Sequence, residues 1–230
     1  MNTSIAASTS DTIRVWHLGI DGPTAGTSAA QLHSRRSSSA LYGDIGYSSS
    51  SEQPSVSTTS IVDVDPLPDT IDSVSCISWA ADGGKFVAAG KGSCMRQLDS
   101  AGGLVQDIKM SGKGDSVDYM DIVAAQHYGH ASESLFVANN TTRQVRRWDF
   151  VKREYAAICQ THENDISCMA VSTRKRLVVS ATASGGEIAV FNLLHNTRSD
   201  LRSATHRSLT CVDISPGHRS QIAVGSEDGL

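Results

Sequence analysis

The chain has 230 residues, room for one large domain or two small ones at roughly 100–200 residues each. With 39% apolar, 5% aromatic and 19% charged residues and much Gly and Ser, a long coiled coil is excluded and strands with turns are favoured. A net charge of −4 gives no global attraction to nucleic acid or anionic lipid, and no run of about 18 apolar residues is present to span a membrane.

The opening MNTSIAASTSDT lacks the basic flank and apolar stretch of a secretory signal, which predicts a cytosolic or nuclear protein. Within it, SIAASTSDTIRVWHL predicts opening strands over 1–18. Residues 19–70 are heavy in Ser, Thr, Gly and Pro, with isolated apolar residues; such a composition buries too little surface to offset its ordering entropy and predicts a disordered insertion. Inside it, Arg35-Arg36-Ser37-Ser38 places a basic pair two residues before Ser38, a spacing that basophilic kinases favour, which makes Ser38 a candidate phosphosite. An unmodified polar loop is the simpler reading of the same residues.

From 71 to 230 the chain is built of short apolar runs, several alternating with period two, divided by Gly, Asp, Asn and Ser. This predicts an all-β fold. The runs repeat. Cys168 in ISCMAVS and Cys211 in LTCVDIS hold the same place roughly 43 residues apart, and Cys76 in VSCISW holds it about two periods earlier, with VDYMDIVAAQ as the intervening copy. A second strand follows each copy (KFVAAG, SLFVANN, RLVVSAT, QIAVGS) and a third ends in CMRQLD, QVRRWDF or EIAVFN; a fourth is implied between Trp148 and His162. The three thiols read as small core hydrophobes, and the five cysteines include no CxxC pair for zinc or dithiol chemistry.

Catalytic and metal motifs are weak. The stretch Gly84 to Gly92 has Lys85 where a phosphate loop needs its first Gly and Gly92 where it needs Ser or Thr. His127-Tyr128-Gly129-His130 has no ligand partner at metal spacing and reads as an exposed hairpin loop.

A period of about 43 with a Trp148-Asp149 dipeptide, Thr161-His162 and Thr205-His206 where Gly-His is usual, and the terminal GSEDG resembles the WD-repeat β-propeller family. About four blades are expected in the roughly 180 residues outside the insertion, against a typical seven in a closed ring, so the chain reads as the N-terminal portion of a longer propeller. In that family a His, a Ser or Thr, an Asp and a Trp form a buried hydrogen-bonded clamp. By position the resemblance implies this structural role for His162, Ser180, His206, Ser226 and Asp228, with Trp148 and Asp149 of the dipeptide. The chain departs from the pattern at Gln97-Leu98-Asp99, at Thr142, at Gly185-Gly186 and at Phe191-Asn192, so these blades are expected to rely more on apolar packing.

Within the family, residues 135 to 191 are similar to the centrosomal and spindle WD-repeat proteins that recruit the gamma-tubulin ring complex. The cues are Arg147-Trp148-Asp149, the link to His162, the Cys168 strand and a Ser-Gly-Gly-Glu-Ile turn. The resemblance implies a non-enzymatic scaffold without cofactor or metal, located in the cytoplasm at centrosomes, spindle poles and the cytoskeleton. Its partners would be gamma-tubulin complex subunits, tubulin or centrosomal proteins rather than nucleic acid or membrane. The propeller geometry also implies that Lys152 and Arg153 share a face with Arg174, Lys175 and Arg176 of the next blade, as a basic patch for an acidic protein. The alternative is a substrate receptor of a ubiquitin ligase; such receptors often carry Trp-Asp-x-Arg, whereas Trp148-Asp149-Phe150 is followed here by Val151.

Overall fold

A computed structural model of the protein describes residues 2–8, 13–20 and 56–63 as backbone, and then 71–109, 119–129, 131–203, 207–217, 219 and 221–229, with 157–158 again as backbone alone. The described residues form antiparallel sheets, none of them closed, and contain no helix. The fold is all-β. The chain divides into two compact units, Met1–Ile5 with Trp16–Ile61 and Ala6–Val15 with Val62–Leu230.

β1 (Asn2–Ser8), β2 (Ile13–Ile20) and β3 (Val56–Asp63) form a three-stranded sheet in that order. The disorder expected over 19–70 therefore fails at both margins. Gly19 and Ile20 finish β2, and Val56–Asp63 is a strand, because Val56, Thr58, Thr59, Ile61 and Val62 concentrate β-branched residues that the overall composition hides. Residues 21–55 and 64–70, and Ser38 with them, lie outside the described residues.

From residue 71 the strands run as up-and-down meanders. The first is β4 (Ile71–Trp79), β5 (Lys85–Gly92), β6 (Cys94–Asp99) and β7 (Leu104–Lys109). The second is β8 (Met120–Tyr128), β9 (Ser134–Asn139), β10 (Gln144–Asp149) and β11 (Glu154–Thr161). The third is β12 (Ile166–Ser172), β13 (Leu177–Thr182), β14 (Glu187–Asn192) and β15 (Thr197–Arg202). A hairpin of β16 (Leu209–Ile214) and β17 (Ile222–Ser226) follows. Two residue pairs, Lys91 with Asp121 and Gly92 with Met120, join the first two meanders into one eight-stranded sheet.

Period-two alternation explains the layering. In β5, Phe86 and Ala88 enter one core with Ile71, Val74 and Leu98, while Val87 and Ala89 enter another with Met120, Leu135 and Trp148. In β9, Leu135 and Val137 face that second core, and Phe136 and Ala138 face a third with Ile166 and Val178. The second strands β5, β9 and β13 are thus buried on both faces, which is why they read as continuous apolar runs. The first strands lie side by side: β4 packs on β8, β8 on β12 and β12 on β16.

The first strands share a defect as well. Pairing shifts register just before Cys76, Ala124, Cys168 and Cys211, so Ser75, Val123, Ser167 and Thr210 are each the extra residue of a bulge. Where that residue carries a hydroxyl, Ser167 donates across the pair to the Ala181 carbonyl (3.1 Å) and Thr210 to Gly225 (3.4 Å), whereas Ser75, 3.4 Å from the Ala89 carbonyl, lies closer to the Ile122 carbonyl of β8 and donates there. Opposite each thiol stands a small residue, Ala89, Ala181 or Gly225. Cys76 and Cys168 pack against core clusters, whereas Cys211, expected in the core, is exposed on the terminal hairpin.

Close approach of backbones fixes one glycine. A Cβ on Gly90 in β5 would fall 2.0 Å from the Ser73 carbonyl oxygen and 2.8 Å from the Ser75 nitrogen, both main-chain atoms of β4. Gly90→Ala is expected to force β4 and β5 apart and to cost about 2 kcal/mol, read as a lowered urea midpoint with an unchanged m value.

Candidate functional site

Among the described residues, a buried polar network joins the second and third meanders. His162 follows β11, and its Nε2 lies 2.6 Å from Ser180 Oγ in the centre of β13. Ser180 also bonds Gln160 Oε1, and Gln160 Nε2 donates to the carbonyls of Val178 (3.2 Å) and Ala189 (3.0 Å). These bonds leave one proton assignment. The Gln160 amide nitrogen is spent on two carbonyls, so its oxygen accepts the Ser180 hydroxyl proton, and Ser180 Oγ accepts from His162 Nε2–H. All three side chains are buried.

The other imidazole nitrogen faces an acid. His162 Nδ1 is 3.0 Å from Glu187 Oε1, an ion pair only when the imidazole is protonated on both nitrogens. Arg198 on β15 places Nη2 3.3 Å from the same oxygen, Nε 2.6 Å from Asp200 and Nη1 2.5 Å from the Thr161 carbonyl. Burial pushes the pKa of His162 down from its ordinary value, against the pull of Glu187. Glu187 thus stands where the resemblance led one to look for an Asp in the preceding turn. That turn instead holds Gly185 and Gly186, both left-handed (φ 75° and 62°), and Thr182 Oγ1 closes it by donating to Ser184 O and accepting from Glu187 N.

The Trp148-Asp149 dipeptide does something different from the clamp role. Trp148 is 8% exposed in the core shared by the first two meanders and meets the Tyr155 ring edge-on at 5.2 Å, but its indole N–H has no hydrogen-bond partner. The centre of β9, Leu135 to Ala138, carries no hydroxyl, and Ser134 at its start does not bond the indole. Asp149 ends β10 and caps the following turn through Oδ1, accepting from Val151 N and Lys152 N at 2.9 Å each. Those amide bonds, that of Lys152 foremost, hold its carboxyl below the usual range. Asn192 caps its own turn in the same way, accepting from Leu194 N and His195 N, and Asp99 accepts from Ala101 N and Gly103 N. Leu98-Asp99, Trp148-Asp149 and Phe191-Asn192 are therefore one device, an apolar plug followed by a turn cap.

Among the other candidates, Ser226, half-buried at the end of β17, donates to the exposed Asp228 of the terminal turn, and His206 lies outside the described residues. Gln160 and Glu187, which complete the buried network, carry no motif; the only hint for Gln160 is an uncharged polar residue in a run that also holds Ile158 and Cys159. His127 and Tyr128 are not loop residues. They end β8, where Tyr128 meets Phe136 edge-on at 5.5 Å and His127 stacks on Phe150 at 5.6 Å.

The five basic residues occupy two turns at the same end of the meanders. The turn of Arg153 abuts the β8–β9 turn through Phe150 N to Glu133 O (3.0 Å), and the turn of Arg174–Arg176 abuts it through Gly129 N to Thr173 Oγ1 (3.3 Å). Arg174 and Lys175 reach the far hairpin, at Pro216 O (3.3 Å) and Arg219 O (2.6 Å), whereas Arg153 lines a cleft against the first meander. Lys152 donates its amide to Asp149, and Arg153 and Arg176 close their turns in left-handed conformations (φ 56° and 54°). The two groups thus straddle the β8–β9 turn. Among the described residues no three His, Cys, Asp or Glu side chains gather as a metal would require. Compared with known protein families and with curated proteins, the chain matches none.

Proposed function

We propose that residues 71–230 are blades of a WD-repeat β-propeller, and that the protein is a non-enzymatic scaffold addressing the gamma-tubulin ring complex to centrosomes or spindle microtubules for nucleation in mitosis. The observation that carries the propeller is the row of first strands β4, β8, β12 and β16, each packed on the next and each broken by a bulge at the equivalent residue. In this reading the His162–Ser180–Gln160 network is mortar that fixes neighbouring blades, and partners meet the protein at its turns. The basic turns face an acidic protein surface, such as tubulin or a centrosomal protein, in the cytoplasm.

Affinity capture from dividing cells tests the scaffold: gamma-tubulin complex subunits are the expected prey, and cullin-adaptor subunits in their place would establish a ubiquitin-ligase receptor. Charge reversal tests the surface. Arg174→Glu with Lys175→Glu and Arg176→Asn, the Asn chosen because it tolerates a left-handed backbone, is expected to weaken capture at least ten-fold and to flatten its salt dependence. Unchanged capture removes these residues from the interface.

A further inference from the structure

A cleft of about 540 Å³ opens between the first two meanders, at the end that carries the basic turns. Its size falls within the roughly 300–1,000 Å³ typical of ligand sites. The walls are held together by the Ala81 amide donating to Ser132 Oγ (2.7 Å), which ties the β4–β5 turn to the β8–β9 turn. The floor is a cross-strand amide pair, Gln106 Nε2 to Gln97 Oε1 at 2.8 Å.

The rim carries two carboxylates, Asp82 and Glu133, and two cations, Lys85 and Arg153, and none of the four has an ion-pair partner among the described residues. Asp82 folds onto its own turn, accepting from Gly84 N at 2.9 Å. Glu133 lies back over Gly129, so close that a Cβ there would meet its Oε2 at 2.5 Å. Lys85 and Arg153 lie on opposite walls. Beside them stand exposed apolar groups, Val151 at 80% and Val105 at 41% exposure, and the Phe150 ring that stacks on His127. Isolated exposed valines mean little, but two of them framing a cleft with two free cations form a composite surface.

We infer that this cleft binds an acidic–apolar peptide segment of a partner protein, carboxylates meeting Lys85 and Arg153 and an aliphatic side chain covering Val105, Val151 and Phe150. A free anion engages only the cations and leaves the valines wet, whereas a chain with alternating acidic and aliphatic residues satisfies both. Only Arg153 is shared with the basic turns of the proposed scaffold, so failure here leaves the capture experiment and the Arg174–Arg176 result untouched.

The test uses the whole 230-residue chain with a uniformly labelled backbone and imidazoles, titrated by NMR with the blocked peptide acetyl-Glu-Leu-Glu-Leu-amide. Saturable shifts at Val105, Phe150 and the His127 ring are expected. They should weaken at least ten-fold for the Gln-Leu-Gln-Leu peptide and for Lys85→Glu combined with Arg153→Asn, which keeps the left-handed turn. Three results overturn the inference: no saturable shift at these residues, equal binding by the doubly substituted protein with its spectrum otherwise native, or equal binding of acetate or inorganic phosphate.

Discussion

Gln160→Leu is expected to lower the free energy of unfolding by about 3–4 kcal/mol, although leucine is apolar, similar in volume and bound for a site only 1% exposed. Burial alone would favour the change. The loss comes from what Gln160 leaves behind: the carbonyls of Val178 and Ala189 lose a donor, and the Ser180 hydroxyl proton keeps an acceptor only if His162 changes tautomer and takes it at Nε2. A buried polar group without a partner costs about 1–3 kcal/mol, and in a chain of bonds the first loss misaligns the next. Urea unfolding should show a lowered midpoint with the slope unchanged. The companion Ser180→Ala removes the stranded hydroxyl, so Gln160→Leu with Ser180→Ala should cost about 1–2 kcal/mol less than the sum of the single changes. Strict additivity would mean that the three side chains are neighbours and not a network.

Strand positions from residue 71 were largely legible because each second strand is an apolar run between turn residues, and because a thiol marks a fixed place in three of the four first strands, β4, β12 and β16. Legibility ended where identity and role part. The Trp148-Asp149 pair is the most recognisable dipeptide in the chain, yet its indole N–H finds no hydrogen-bond partner and the ring acts as a plug. Phe191-Asn192, which departs from the motif, keeps both parts of the device: an aromatic plug and a turn-capping oxygen. Glu187 was invisible for a similar reason. The carboxylate comes from the first residue of β14, beyond a Gly-Gly turn, and only the pairing of β13 with β14 places it beside His162. β3 was hidden by its setting, since its seven β-branched and hydroxyl-bearing residues are diluted in a window dominated by Ser and Gly.

Acidification should expose the second strong effect. His127 ends β8, and Ser78 Oγ accepts its backbone amide while donating to Nδ1, at 2.9 Å in each case, which leaves the proton of the neutral ring on Nε2. That nitrogen is buried without a partner against the Phe150 stack. Burial therefore pushes the imidazole pKa down to about 4 from the ordinary 6.5, with Asp82 pulling weakly the other way. Between those values the unfolded chain binds a proton that the folded chain refuses, so stability rises with pH across the window. The contribution is fully present above pH 6.5, declines as pH falls, and is lost below about pH 4; a shift of this size is worth about 3 kcal/mol. Urea midpoints taken from pH 7.5 down to pH 4 should fall accordingly in the natural protein. In His127→Phe the loss of the Ser78 contact lowers the curve by a constant amount, because Ser78 keeps the backbone amide, and the slope between pH 6.5 and 4 should shrink to what the carboxylates supply. A slope identical in the two proteins would show that His127 titrates as an ordinary exposed histidine, and that the stack on Phe150 does not keep water from it.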